Sequence, residues 1–166
     1  MEKTGSIELE RNDSFERRQW KVQHVAWVAM SLLIVAAMLG VFGSGPLSSA
    51  TAGNSATIAV DYERFIRHTG EGDIAIAVAG GQAVAGEVAV WINAEWLGAN
   101  QVLVISPEPA AFLAGADRHI YVFAVDDPAQ GFEVGIRFTP REMGRIRGAI
   151  GIDDGPDVSF TQWSYP

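Results

Sequence analysis

EVGIRFTPREMGRIRGAIGI, Glu133 to Ile152, is the stretch that decides what kind of domain this chain builds. Val134, Ile136 and Phe138 alternate with Glu133, Gly135 and Arg137. After a break, Ile146, Gly148, Ile150 and Ile152 alternate with Arg145, Arg147, Ala149 and Gly151. A strand turns successive side chains to opposite faces, so a period of two with one greasy face and one polar or small face means a half-buried strand. Pro140 to Gly144 supplies the break, because proline withholds a ladder donor and glycine turns freely.

The same alternation extends outward. Ile74, Ile76 and Val78 alternate with Asp73, Ala75 and Ala77, and Val88, Val90 and Ile92 with Glu87, Ala89 and Trp91. About eight strands are expected, over 57–66, 73–79, 86–93, 101–106, 118–126, 132–139, 145–152 and 158–164. Turn chemistry separates them at Gly70-Glu71-Gly72, Gly80-Gly81, Asp126-Asp127-Pro128 and Asp153-Asp154-Gly155-Pro156. Short strands at this spacing predict an antiparallel β-sandwich over 57–166, each strand with one buried face. Pro107–Gly115 and Ala94–Gly98 each read as a short helical turn.

Phe138-Thr139-Pro140, followed by Gly144-Arg145-Ile146 and an alternating strand to Ile152, resembles the closing hairpin of immunoglobulin-like sandwiches. Ile146 stands where many such domains carry tyrosine, so the tyrosine corner is missing. The resemblance implies a fold and no activity. The whole chain also resembles uncharacterised bacterial single-pass membrane proteins with an immunoglobulin-like exported domain. Those share the Phe15-Glu16-Arg17-Arg18-Gln19-Trp20 approach to the membrane and the Gly45-Pro46-Leu47-Ser48 exit from it.

Ahead of the β pattern, Val25 to Phe42 is an apolar run of eighteen residues broken only by Ser31 and Gly40. At ~1.5 Å per residue it spans roughly one bilayer core, and it has no polar stripe of the kind a soluble core helix shows. Asp13 followed by Glu16 fits a helix start that runs on through Trp20, and Gly43 to Pro46 ends it. The domain plan is therefore a cytoplasmic tail and juxtamembrane helix over 1–24, a transmembrane helix over 25–43, a flexible Ser/Gly/Ala/Thr linker over 44–56, and the exported sandwich. Arg17, Arg18 and Lys21 precede the run, and no basic residue follows it before Arg64, which keeps the N-terminus inside. The expected location is a bacterial inner (cell) membrane, with the C-terminal domain periplasmic or extracellular. The rival is a signal peptide cleaved at Ala50-Thr51-Ala52. Within the run, Ala36, Gly40 and Ser44 are four apart and form a candidate helix-association face.

Residues 44–166 hold fifteen Asp/Glu against seven Arg and no lysine. Such an acidic surface repels phosphate backbones and disfavours nucleic-acid binding. The chain has no cysteine, which excludes disulfides, thiolate metal sites and a cysteine nucleophile. The only histidines beyond the apolar run are His68 and His119, too few and too isolated for a Ser-His-acid arrangement or a zinc site. Met143 is the only methionine there, which disfavours copper. Asp153, Asp154 and Asp157 share one loop, read first as a solvated turn and otherwise as a weak calcium site. No catalytic residue, cofactor or metal is expected.

The aromatics are more suggestive. If the even-numbered residues fill the core, Trp91, Tyr121, Phe123, Trp163 and Tyr165 point outward and form a candidate partner face. The function expected is that of a non-catalytic single-pass membrane protein. Its exported β-sandwich would bind another membrane or envelope protein, or a second copy of itself. The alternative is a tethered enzyme or small-ligand or calcium-binding domain using loop carboxylates.

Overall fold

The computed structural model describes residues 13–38, 47–153 and 155–166, which divide into a helical unit ending at Met38 and a β unit beyond it. In the first, one helix, α1, runs from Asp13 to Met38. Its stretch Gln19–Met38 is long and apolar enough to cross a membrane or to serve as a signal sequence. Leu32, Leu33 and Ile34, on successive faces of the helix, are all exposed. The far end of the expected 25–43 span lies outside the described residues.

The β unit contains β1 (Ser49–Asn54), β2 (Ile58–Glu63), β3 (Phe65–Arg67), β4 (Gly72–Val78) and β5 (Glu87–Asn93). After the short α2 (Ala94–Ala99) come β6 (Asn100–Ser106), β7 (Ala111–Ala114), β8 (Arg118–Ala124), β9 (Phe132–Pro140), β10 (Gly144–Ile152) and β11 (Asp157–Tyr165). They form a β-sandwich. Sheet A has the order β1-β2-β4-β9-β6, and sheet B the order β3-β11-β10-β5-β8-β7.

The alternating residues meet between the sheets. Ile58 and Val60, Ile74 to Val78, and Val134 to Phe138 line sheet A. Val88 to Ile92, Ile146 and Ile150, and Val158 and Phe160 line sheet B. The short helix α2 carries the chain from sheet B to sheet A and drops Trp96, fully buried, into the gap. The Trp96 ring packs edge-on against Phe138 at 4.8 Å and against Phe160 at 6.4 Å. Its buried N–H needs a partner, and it donates to Gln162 Oε1 at 2.8 Å. Gln162 Nε2 in turn donates to the Glu63 carbonyl at 3.0 Å. This bridge ties α2 to both sheets. Where α2 leads β5 away from β10, Asn93 takes over the ladder, accepting from the Ala149 N–H at 2.8 Å.

Five expectations are corrected. Ser49–Asn54 lies in the expected linker but pairs with β2 as an edge strand, Ala50 opposite Tyr62 and Ala52 opposite Val60. Its small residues hide a strand signal that the partner supplies. The expected 57–66 strand is divided at Arg64, where the chain leaves sheet A and β3 joins sheet B. β3 pairs parallel with β11, so the sandwich is not wholly antiparallel. Ala111–Ala114 is a strand on β8 rather than a helical turn, whereas Ala94–Ala99 is helical as expected. Finally, β9 and β10 are not a hairpin. β9 pairs with β4 and β6, and β10 with β11 and β5, so Pro140 to Gly144 crosses from one sheet to the other.

Candidate interaction faces

Each sheet turns its second face to solvent, and the two faces differ in chemistry. On sheet B the odd-numbered residues of β10 and β11 point outward, which sets Trp163 opposite Arg145 and Thr161 opposite Arg147. Tyr165 lies opposite Arg67 on β3. Trp163 is 51% exposed. Further across the sheet, Trp91 lies over Gly151, where even a methyl group would come within 2.6 Å of the indole. The Arg118 guanidinium stacks over Trp91 at 5.3 Å from the ring centre. Ile120, Val122 and the exposed Leu113 continue this face to the β7 edge.

Tyr121 and Phe123 do not belong to that face. Phe123 pairs with Val88 and Tyr121 with Val90, both core residues, so the odd residues of β8 face inward, and Phe123 is 2% exposed. Phe123 packs on Phe132 at 5.5 Å, and Tyr121 on Phe112 at 5.1 Å. The parity fails here because Ile120 to Ala124 is apolar on both faces and Arg118 and His119 fall on opposite ones, so only the pairing with β5 decides which face is buried. The remaining aromatics form two centres rather than one. Trp163 and Tyr165 stand at one end of β10 and Trp91 at the other, six residues apart along the strand, or about 20 Å. The arginines lie along and between them.

The outer face of sheet A holds a groove of about 600 Å³. Ala75 and Gly135, opposite each other in β4 and β9, leave its floor low. Val104 and Ser106 rise on one side, Thr51, Asp61 and Glu63 on the other. A bulge between Val102 and Val104 turns Val104 outward. Thr51 donates to Asp61 Oδ1, and Arg137 donates to Asp73 Oδ1 at 3.0 Å. The one arginine of the groove is thus neutralised, leaving Asp61 and Glu63 in excess. Partial burial, with the Asp73 charge second, pushes the Glu63 carboxyl up from its ordinary value.

A raised carboxylate pKa favours the folded state at low pH and loses that contribution as pH rises through the folded value, the reverse of the usual acid. Glu63→Gln is therefore expected to raise stability at neutral pH and to do nothing in acid. The gain should stay within about 0.5 kcal/mol because the side chain is mostly solvated. Denaturant titrations of both proteins at neutral and acid pH check it, and a loss at neutral pH would contradict the assignment.

The residues considered for chemistry are scattered. His119 lies on the inner face of β8 with its ring 5.4 Å from Phe112, and His68 follows β3, its N–H bonded to the Tyr165 carbonyl. Neither lines the groove. Among the described residues no group of three or more His, Asp or Glu is placed to hold a metal ion. Asp153 and Asp157 flank the β10–β11 turn, and Asp154 lies outside the described residues. Of the candidate helix-association face, Ala36 is on α1, while Gly40 and Ser44 lie outside the described residues.

The acidic groove is what sequence reasoning missed. Asp61, Asp73 and Arg137 each mark a solvent face, but only the order β2-β4-β9 brings them side by side.

No family model matches the chain, and no curated protein matches it. Among solved structures it is similar to a cohesin module from a Clostridium perfringens ATCC13124 family 33 glycoside hydrolase. The two are 11% identical with a TM-score of 0.44, over 69% of this chain and 98% of that one. At that score the similarity says nothing of function.

Proposed function

We propose that this is a non-catalytic single-pass membrane protein of the bacterial cell envelope, whose β-sandwich, held outside the cytosol, binds or assembles with other proteins. The observation that carries the reading is the outer face of sheet B. There exposed Trp163 beside Arg145, and Trp91 beneath Arg118, offer the residue types that dominate binding energy at protein interfaces. The basic flank of the apolar helix supports a cytoplasmic N-terminus. The pairing of β1 supports a retained anchor, since cleavage after Ala52 would remove most of a strand whose Ala52 packs on the core.

Two measurements test this. A photo-crosslinking residue in place of Trp163 is expected to trap a protein in cells; the absence of any adduct counts against a binding face. The full chain is expected to remain in the membrane pellet after alkaline carbonate extraction. Leu33→Arg, which costs about 3 kcal/mol of insertion free energy, should release most of it. Extraction of the parent chain would remove the anchor.

A further inference from the structure

The two outer faces of the sandwich carry opposite charge. Sheet A presents Asp61, Glu63, Asp73 and Glu133 against the single Arg137. Sheet B presents Arg67, Arg118, Arg145 and Arg147 against Glu87 and Asp157. Among the described residues of the β unit, the remaining carboxylates lie largely in turns at the ends of the strands. In a chain this acidic, collecting arginines on one sheet face leaves that face basic while the opposite face stays acidic.

Deepening the protein-binding reading and resting on it, we propose that the partner of this domain is a second copy of the same chain, stacked head to tail. The basic outer face of sheet B of one copy would cover the acidic groove of sheet A of the next. The chemistry of the two surfaces matches in more than charge. The groove has a low apolar floor at Ala75 and Gly135 with Val104 beside it, and carboxylates at Asp61 and Glu63 on the opposite wall. The facing surface offers an exposed indole, that of Trp163, the residue paired across the strands with Arg145. The indole fits the floor and the guanidinium the wall. Because the two surfaces are different patches of one chain, the contact is heterologous and does not close on itself as a two-fold dimer does. Repeated as a translation it keeps every copy the same way up, as membrane tethering requires.

The test uses the full chain in non-ionic detergent, followed by sedimentation velocity. The parent is expected to form a concentration-dependent series of oligomers, weakened at least tenfold as salt shortens the screening length to ~3 Å at about 1 M. Ala75→Arg, which fills and reverses the groove, and the double variant Arg145→Glu with Trp163→Ala, which spoils the opposite face, should each be monomeric alone. Mixed in equal amounts they should form a one-to-one dimer, because each keeps the surface the other has lost.

Should Ala75→Arg melt lower than the parent, Asp61→Asn with Glu63→Gln removes the groove charge without added bulk and must give the same loss. A mixture that stays monomeric, or association that neither variant disturbs, overturns the stacking. A monomeric parent whose position 163 still cross-links to another protein in cells refutes self-stacking while leaving the protein-binding reading intact. If neither association nor a cross-link is seen, both fall.

Discussion

Trp96→Ala is expected to cost about 3–5 kcal/mol, the range for removing a large buried aromatic from a core. For a β unit of this size that lowers the melting temperature by roughly 12–20 °C, at about 4 °C per kcal/mol. The loss is a large share of the ~5–15 kcal/mol that holds a domain together. Trp96 is fully buried, fills the gap where the chain changes sheet, and packs on Phe138 and Phe160. Its N–H also begins the bridge through Gln162 to the Glu63 carbonyl. Trp96→Phe separates the two contributions. It keeps most of the ring and leaves Gln162 Oε1 without its donor, at a cost of about 1–3 kcal/mol. Gln162→Leu strands the same indole N–H, so the two changes together should cost less than their sum. Thermal and denaturant melts of the three variants check this. A Trp96→Phe protein as stable as the parent would show that the bridge contributes nothing.

Gly148→Ala is expected to destabilise by about 3 kcal/mol, the upper end of ordinary overpacking. Gly148 lies on the inner face of β10 opposite Phe160, and a methyl group there would come within 2.2 Å of the tip of the Phe160 ring. That ring has little room to withdraw, because Tyr62 lies 4.9 Å away on one side and Trp96 beyond it on another. Phe160→Leu in the same protein should restore at least half of the loss. Phe160→Leu alone should itself destabilise, so the pair is strongly non-additive. The comparison needs only melting curves. A harmless Gly148→Ala would mean that the ring is not held where the packing puts it.

These positions show how far the amino-acid pattern reached. Gly148 was legible as one member of an inward alternation, Ile146, Gly148, Ile150 and Ile152. Its reason for being glycine was not, because the ring it accommodates comes from the next strand. Likewise Ala94–Gly98 was legible as a short helical turn, but the burial of Trp96 depends on α2 joining the two sheets. β1 was illegible altogether: Ser-Ala-Thr-Ala-Gly-Asn has the composition of a linker, and it becomes a strand because β2 lies beside it. The aromatic face was legible where a polar residue marked the solvent side, as Arg145 and Arg147 do on β10. It failed at Tyr121 and Phe123, because Ile120 to Ala124 is apolar on both faces and the polar residues before them, Arg118 and His119, fall on opposite faces and mark neither.

From the sequence alone come the apolar helix long enough to cross a membrane, the period-two alternation that makes a β-sandwich, and the absence of cysteine and lysine from the β unit. These are local properties. A helix-length apolar run or an alternating strand is specified by residues one to four positions apart. Which strands neighbour one another was decided only in the tertiary structure. With that came the side of β8 that faces the core, the parallel joining of β3 to β11, and the meeting of Asp61, Ala75, Gly135 and Arg137 across one groove. Strand order is set by burying all the greasy faces at once, a condition on the whole chain that no window of neighbouring residues contains.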